Sequence, residues 1–339
     1  MIAINNTGNK GFSPRWVDYC KDHGIPYKLV NAYDSNIVEQ LADCDAFMFN
    51  HHQGNYKDVL FAKQLLYSFQ LAGKKVFPDF NTTWHFDDKV GQKYLFESID
   101  SPFVKSYIFY TKNEALQWAN STNFPKVFKL RGGASSANVK LAKNQKDAIK
   151  FINKSFGKGF SQYDWKEKFI EARRKQKMGK VGWRAVLRPI YYTLKKYPTP
   201  FSHYKGNEKG YAYFQDFIPN NTYDIRIIVI GDKAFGIKRV NRENDFRASG
   251  SGKILYDKNE LDERCVKVAF EQNKKIKSQS IAFDFVFDNK NKPLIVEISY
   301  AFMASGYDQC TGYWDNDLKW YEEPFNPYGW MVDTVLGEE

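Results

Sequence analysis

Through the first 85 residues, short apolar runs alternate with longer, helix-compatible ones. The apolar runs fall at 1–5, 27–30, 46–50 and 75–78, and the helix-compatible ones at 13–23, 35–42 and 59–72. Strand-like segments separated in this way predict a β-α-β-α-β-α rhythm and a small parallel sheet with helical crossovers, of which 75–78 is the fourth strand. Residues 87–98 read as a helix, with Asp87 and Asp88 near its start and Ser101-Pro102 just past its end. Strands are expected at 104–110 and 126–130, enclosing a helix at 113–120, and another helix is expected at 145–153. Between them Arg131-Gly132-Gly133-Ala134-Ser135-Ser136 forms a small-residue loop whose backbone amides can approach a ligand closely.

Beyond residue 210 the period shortens. Runs rich in β-formers occupy 211–218, 224–230, 234–240, 282–287 and 294–298, separated by Pro219-Asn220-Asn221, Gly231-Asp232 and Asp288-Asn289. They predict a largely antiparallel sheet with one helix near 261–276. The fold class is therefore α/β with an α+β second half. The segment 163–196 fits neither rhythm and reads as an insertion carrying a helix at 165–178.

Length and composition narrow the class. A chain of 339 residues with 43% hydrophobic positions can bury one large core or two to three smaller ones. No run reaches the roughly 18 consecutive apolar residues that span a bilayer, and the opening residues lack a signal-peptide layout, so a cytoplasmic protein is expected, peripheral at most to the inner membrane face. Cys20, Cys44, Cys265 and Cys310 form no C-x-x-C pair, which points away from both a disulfide framework and a zinc site.

The net charge of +11 is uneven: residues 163–200 hold eleven Lys and Arg against Asp164, Glu167 and Glu171. Arg173, Arg174, Lys175, Lys177, Lys180, Arg184 and Arg188 sit among Trp165, Trp183, Tyr191 and Tyr192. Such a mixture suits a polyanionic or membrane-associated acceptor, in particular an acidic glycan or lipid-linked glycan intermediate. No signature of specific nucleic-acid recognition accompanies it. The aromatic stretch 313–330 is expected to pack back over the core.

Four constellations could carry chemistry. A hairpin at 282–299 bears Asp284 on one arm and Glu297 on the other, two hard oxygen ligands of the kind magnesium needs when phosphate oxygens and water complete its shell. Lys89 opens a helix and Lys129 enters the Gly-rich loop, both compact cations suited to phosphate. Gln215, Asp216, Phe217 and Ile218 are an extended stretch able to pair with an adenine edge, with Asp224 placed for ribose hydroxyls. Lys238, Arg239 and Arg247 precede a Gly/Ser-rich run, and an arginine fork matches phosphate or carboxylate oxygens. Each also has a plain structural reading as a strand charge, a turn or a surface ion pair. His51, following a strand, could line an acceptor site or be an ordinary loop histidine.

Taken in order, Asp88-Lys89…Gln92-Lys93-Tyr94-Leu95, Pro125-Lys126-Val127-Phe128-Lys129, Gly132-Gly133-Ala134-Ser135-Ser136, Gln215-Asp216-Phe217-Ile218, Asp224-Ile225-Arg226, Lys238-Arg239, Phe246-Arg247, Asp284 and Glu297-Ile298-Ser299 resemble the ATP-grasp superfamily. The resemblance is to its glutamate-adding ribosomal-protein ligases and D-alanine-D-alanine ligases. It implies an N-terminal pre-ATP-grasp domain at 1–86, a linker helix and lid at 87–215 with a basic insertion at about 160–200, and a C-terminal catalytic subdomain at 216–339 with an aromatic tail.

The resemblance further implies ATP and one or two magnesium ions as cofactors. Lys89, Lys129 and Lys238 with Gly132, Gly133, Ser135 and Ser136 would serve the phosphates, and 215–218 with Asp224 the nucleoside. Asp284, Glu297 and Ser299 would serve the metal, while Arg247 and Arg239 would serve the acyl phosphate. Two positions depart from the family pattern: Ser299 stands where Asn is usual, and Gln215 where Glu is usual. The implied activity is an ADP-forming carboxylate-amine ligase acting on a small-molecule or glycan carboxylate. A sugar or alcohol kinase, or a degenerate nucleotide- or glycan-binding protein, remains as an alternative.

Overall fold

The computed structural model describes residues 1–132, 138–179, 181–193, 199–241, 247 and 253–337. The chain divides into two compact units, one of Met1–His52, Lys57–Phe103 and Ile218–Glu339, the other of Gln53–Tyr56 and Val104–Phe217.

The first unit holds two sheets. Strands Ile2–Asn5, Tyr27–Val30, Ala46–Met48 and Lys75–Phe77 form the expected parallel sheet, in the order second, first, third, fourth. The crossover helices Ser13–Asp22 and Tyr56–Leu71 match their predicted positions, whereas the expected helix at 35–42 is reduced to Ile37–Gln40.

The larger sheet is antiparallel and is built around Tyr223–Ile230. That strand lies between Lys233–Val240 and Ser280–Phe287, and Pro293–Ser299 pairs on the far side of the latter. Alternation along these strands feeds two cores, because both faces of the sheet are covered. Ile225, Ile227, Val229, Ile281, Phe283 and Phe285 face the Glu263–Ile276 helix through Cys265, Val266 and Ala269. Ile228, Ile230, Phe235, Ile237 and Ala282 join Ile2, Ile4, Trp16, Tyr300, Phe302 and Tyr328, so the parallel sheet and the antiparallel sheet share one apolar core.

The aromatic tail does pack on the core, and it also adds structure the sequence did not announce. Tyr313–Asp315 and Trp320–Tyr321 extend the large sheet, with Trp314 paired to Ala234 in register and 1% exposed. The closing helix, Pro327–Leu336, is capped by Asn326 and lies against Ser13–Asp22, where Tyr19 Oη donates to Asp333 at 2.9 Å.

The second unit is a four-stranded antiparallel sheet in the order Ser106–Phe109, Ala212–Asp216, Lys126–Lys129, Lys140–Ala142. Ser106–Phe109 and Lys126–Lys129, the strands expected at 104–110 and 126–130, are separated by Ala212–Asp216, which pairs with both, because the chain returns from the insertion into the gap between them. Helices Lys112–Ser121 and Gln145–Ser155 cover one face through Ala115, Ala119, Ala148 and Ile152 against Phe128 and Phe214. The other face carries Tyr213, Gln215, Val127 and Lys129, all buried. The basic segment contains two helices rather than one, Trp165–Lys177 and Trp183–Thr193, followed by a short helix Pro200–Lys205.

Candidate active site

The antiparallel sheet changes character along its length on one face. Where Ile228, Ile230, Phe235, Ile237 and Ala282 end, the same alternation continues with Asp224, Arg226, Arg239, Asp284 and Glu297. Register sets these charges side by side. Glu297 is opposite Asp284, Asp284 opposite Arg226, and Asp224 opposite Arg239. Directly opposed residues in an antiparallel pair have Cβ atoms about 4.5–5.5 Å apart, so the two carboxylates share one small region. A break in register directly after Asp284 marks the place, as bulges do where a strand must re-aim a functional side chain.

Three cations accompany the three acids. Arg239 forks onto Asp224 through Nε and Nη2 at 2.6 and 2.7 Å, and the same Nη2 lies 3.0 Å from Asp284. Arg226 forks onto Asp284 from the neighbouring strand, with Nη2 donating at 2.7 Å. Burial alone would raise the Asp284 pKa. The two guanidiniums outweigh it and hold the carboxyl well below the ordinary carboxylate range, so it is ionised at neutral pH. Lys89, 4% exposed, places Nζ 2.9 Å from Glu297 Oε1.

Lys89 reaches Glu297 because its helix is capped at its start and tied to the strand beside it. Asp88 caps the Lys89–Ser98 helix by accepting from Gly91 N at 2.9 Å. One turn on, buried Gln92 exchanges hydrogen bonds with the backbone of Ile298, donating at 2.9 Å and accepting at 3.2 Å. Residues i and i+3 lie on one helix face, so fixing Gln92 to Ile298 aims Lys89 at the adjacent Glu297. Sequence reading noted Gln92 and Arg226 within motifs without giving either a role. The signals were there, Arg226 lying two residues from Asp224 on one strand face and Gln92 three from Lys89 on one helix face.

In the second unit Lys129 is held by Gln215. Gln215 Oε1 accepts from Lys129 Nζ at 2.6 Å, while its Nε2 donates to Ser106 Oγ at 3.1 Å. An amide here orients the ammonium without cancelling its charge, which a carboxylate would do. Asp216 pairs with Lys126 at 2.5 Å. The stretch 215–218 spans the passage from one unit to the other, the second unit ending at Phe217 and the first resuming at Ile218.

Other expected residues fall elsewhere. Lys238 lies one residue from Arg239 and so points to the opposite sheet face, where it pairs with Glu260 at 2.7 Å and stacks over Tyr223. It is not brought to the carboxylates. Ser299 shares the strand face of Glu297, with Oγ donating to Ala301 O at 2.8 Å and its lone pairs still able to accept or ligate. Gly132 and Arg247 are half-buried. Gly133, Ser135 and Ser136, like Phe246 and the Gly/Ser run at 248–252, lie outside the described residues. His51 is a packed core residue rather than an acceptor-lining one: it is 3% exposed, its Nε2 meets Thr83 Oγ1 at 2.8 Å, and its ring rests against Phe86 and Tyr300.

The donor set fits magnesium with phosphates better than a protein-only metal cage. Two opposed carboxylates are what magnesium takes when phosphate oxygens supply the rest. Among the described residues no group of three or more His, Cys, Asp and Glu is arranged to hold a metal by itself.

These sheets and their order define an ATP-grasp fold. Residues 205–313, roughly a third of the chain, match the family model of the RimK-like ATP-grasp domain. The structure is similar to that of a RimK domain ATP-grasp protein from Sphaerobacter thermophilus, with a TM-score of 0.57 and 14% identity over 99% of both chains. It is also similar to D-alanine-D-alanine ligase from Bacillus anthracis, with a TM-score of 0.55 and 12% identity over 99% of this chain and 96% of that one. N5-carboxyaminoimidazole ribonucleotide synthetase from Thermotoga maritima gives a TM-score of 0.60 and 12% identity over 99% and 75%. No curated protein matches the chain by sequence.

Proposed function

We propose that the chain is an ADP-forming, magnesium-dependent carboxylate-amine ligase working through an acyl phosphate. The observation that carries this reading is the cross-strand pair Asp284 and Glu297 with the Lys89 ammonium on Glu297. Asp284 and Glu297 would hold the metal, with Ser299 reaching it directly or through water. Magnesium, when bound, would withdraw charge from the phosphoryl oxygens. Lys89 and Lys129 would offset the triphosphate, residues 215–218 would meet the adenine edge and Asp224 the ribose.

A substrate carboxylate oxygen would attack the γ-phosphorus while the bond to the β-γ bridging oxygen breaks, releasing ADP. An amine nitrogen would then attack the acyl carbon, inorganic phosphate would leave, and the nitrogen would lose a proton to give the amide. Arg239 and Arg247 are the groups proposed to steady the acyl phosphate oxygens. The work is positioning and charge stabilisation, and no side-chain nucleophile is needed. The carboxylate or amine would belong to a small molecule or to an acidic surface glycan or its precursor.

Purified protein supplied with ATP, magnesium and pools of carboxylates and amines should release ADP and phosphate, and hydroxylamine should trap an acyl hydroxamate. Formation of AMP, or a phosphorylated product stable to hydroxylamine, would overturn the ligase reading.

A further inference from the structure

An ordinary surface helix has one apolar face and buries it. The Trp183–Thr193 helix buries Val186, which is 1% exposed, and also Pro189. Yet it keeps a second apolar stripe in the open. Trp183, Leu187, Ile190 and Tyr191 follow the spacing i, i+4, i+7, i+8 of a single helix face and are 63, 59, 43 and 58% exposed. Arg184 and Arg188, one residue beyond Trp183 and Leu187, run along the edge of this stripe and are exposed as well.

The neighbouring helix repeats the arrangement. On Trp165–Lys177 and the residue after it, Ile170, Arg174, Lys177 and Met178 share one face by the same spacing. Ile170 is 66% and Met178 47% exposed. The two helices pack against each other, and the short connection between them leaves Met178 and Trp183 on either side of the hairpin's closed end. Two of the acids here are already engaged, Glu171 with Arg174 at 2.9 Å and Lys175 at 3.5 Å, and Asp164 with Lys140 at 2.8 Å.

We infer that this hairpin docks the protein on an anionic lipid surface, with Trp183, Leu187, Ile190, Ile170 and Met178 at the boundary of headgroups and acyl chains and Arg184, Arg188 and Lys177 on the lipid phosphates. Two features favour a bilayer over a soluble polyanion. Isoleucine, leucine and methionine offer nothing to sugar hydroxyls, whereas they gain by entering the acyl boundary. Trp and Tyr beside a basic rim are the residue types that settle at a membrane interface, and each basic residue near an anionic leaflet adds attraction. Among the described residues no helix is long and apolar enough to cross a membrane, so the hairpin would lie in the interface.

The test uses the full chain in vesicle flotation. Protein should partition at least about tenfold more strongly onto phosphatidylcholine vesicles containing about 30% phosphatidylglycerol than onto phosphatidylcholine alone. W183S/L187S and, separately, R184E/R188E should each weaken the anionic-vesicle binding about tenfold while leaving the thermal midpoint unchanged, since all four side chains are exposed. Absence of flotation, or equal flotation on neutral vesicles, overturns the inference. Binding untouched by W183S/L187S and fully displaced by dextran sulfate would assign the surface to an acidic glycan instead. A dimer that W183S/L187S converts to monomer, with no vesicle binding by either, would assign it to a second copy of the chain.

Discussion

Lys89 and Glu297, far apart in sequence, meet at 2.9 Å, and the helix bearing the lysine is tied by Gln92 to the residue next to the glutamate. The pair is lopsided, with the Lys89 side chain 5% exposed and that of Glu297 33%. Removing the lysine therefore leaves a carboxylate that water can reach, and it also removes the desolvation cost of a buried ammonium. K89M should change folding stability by less than about 2 kcal/mol, measured by urea denaturation. ADP release should fall by about 100-fold or more, because a preorganised charge at the phosphates is lost. A large stability loss with turnover preserved would make the lysine structural.

Gln215 is the corresponding support for Lys129. Replacing it by leucine withdraws one hydrogen-bond acceptor from the Lys129 ammonium and one donor from the Ser106 hydroxyl, both inside the sheet. Q215L should cost about 1–3 kcal/mol in denaturant unfolding. Q215E should keep stability nearer to wild type but raise the ATP Michaelis constant, because a carboxylate at that distance neutralises the charge offered to phosphate. If Q215E binds ATP as tightly as wild type, the amide has no electrostatic purpose.

Much of this could be read from the chain, for identifiable reasons. Strongly periodic segments such as 224–230, 282–287 and the helix expected near 261–276, observed as Glu263–Ile276, declared themselves, because alternation and helical spacing are dictated by what each face must bury. The carboxylates were found because a polar residue within an apolar strand needs an explanation. What stayed hidden was set by long-range pairing. The position of Ala212–Asp216 between two earlier strands and the salt bridges that couple Arg226 and Arg239 to Asp284 depend on register. The same holds for the tail, whose aromatic residues suggested packing but not the added strand pair or the closing helix.

The buried histidines predict an acid limb in stability. Burial pushes His51 down to about 3 and His85 down to about 4, so both stay neutral in the folded state at mildly acid pH. In the unfolded chain they protonate near 6.5, so below that pH the unfolded state binds more protons. Their contribution is therefore complete above about pH 6.5 and declines as pH falls toward about 4, by about 1.4 kcal/mol per unit for each histidine. Asp58 and Asp79, raised by burial, act in the opposite sense as pH falls through their raised folded values. Urea unfolding between pH 6.5 and 4.5 should give a slope of stability against pH that drops by up to one proton in H51N and again in H85N. Because the slope is read, a destabilised variant is still informative, and slopes identical to wild type would mean that the rings are protonated in the native state.

Asp284 adds nothing to the slope in that window. Its folded pKa is depressed, so its share of stability is present above the usual carboxylate value and is lost only as pH falls through the lower folded value. It therefore remains an anion at neutral pH, as the proposed role in holding magnesium requires.

Calorimetric titration of ATP with and without magnesium, on wild type, D284N and E297Q, examines that role most directly. The account predicts ATP binding that requires magnesium in the wild type and weakens at least about tenfold in each variant. Equal affinity in the presence of EDTA, or in D284N and E297Q, would contradict it.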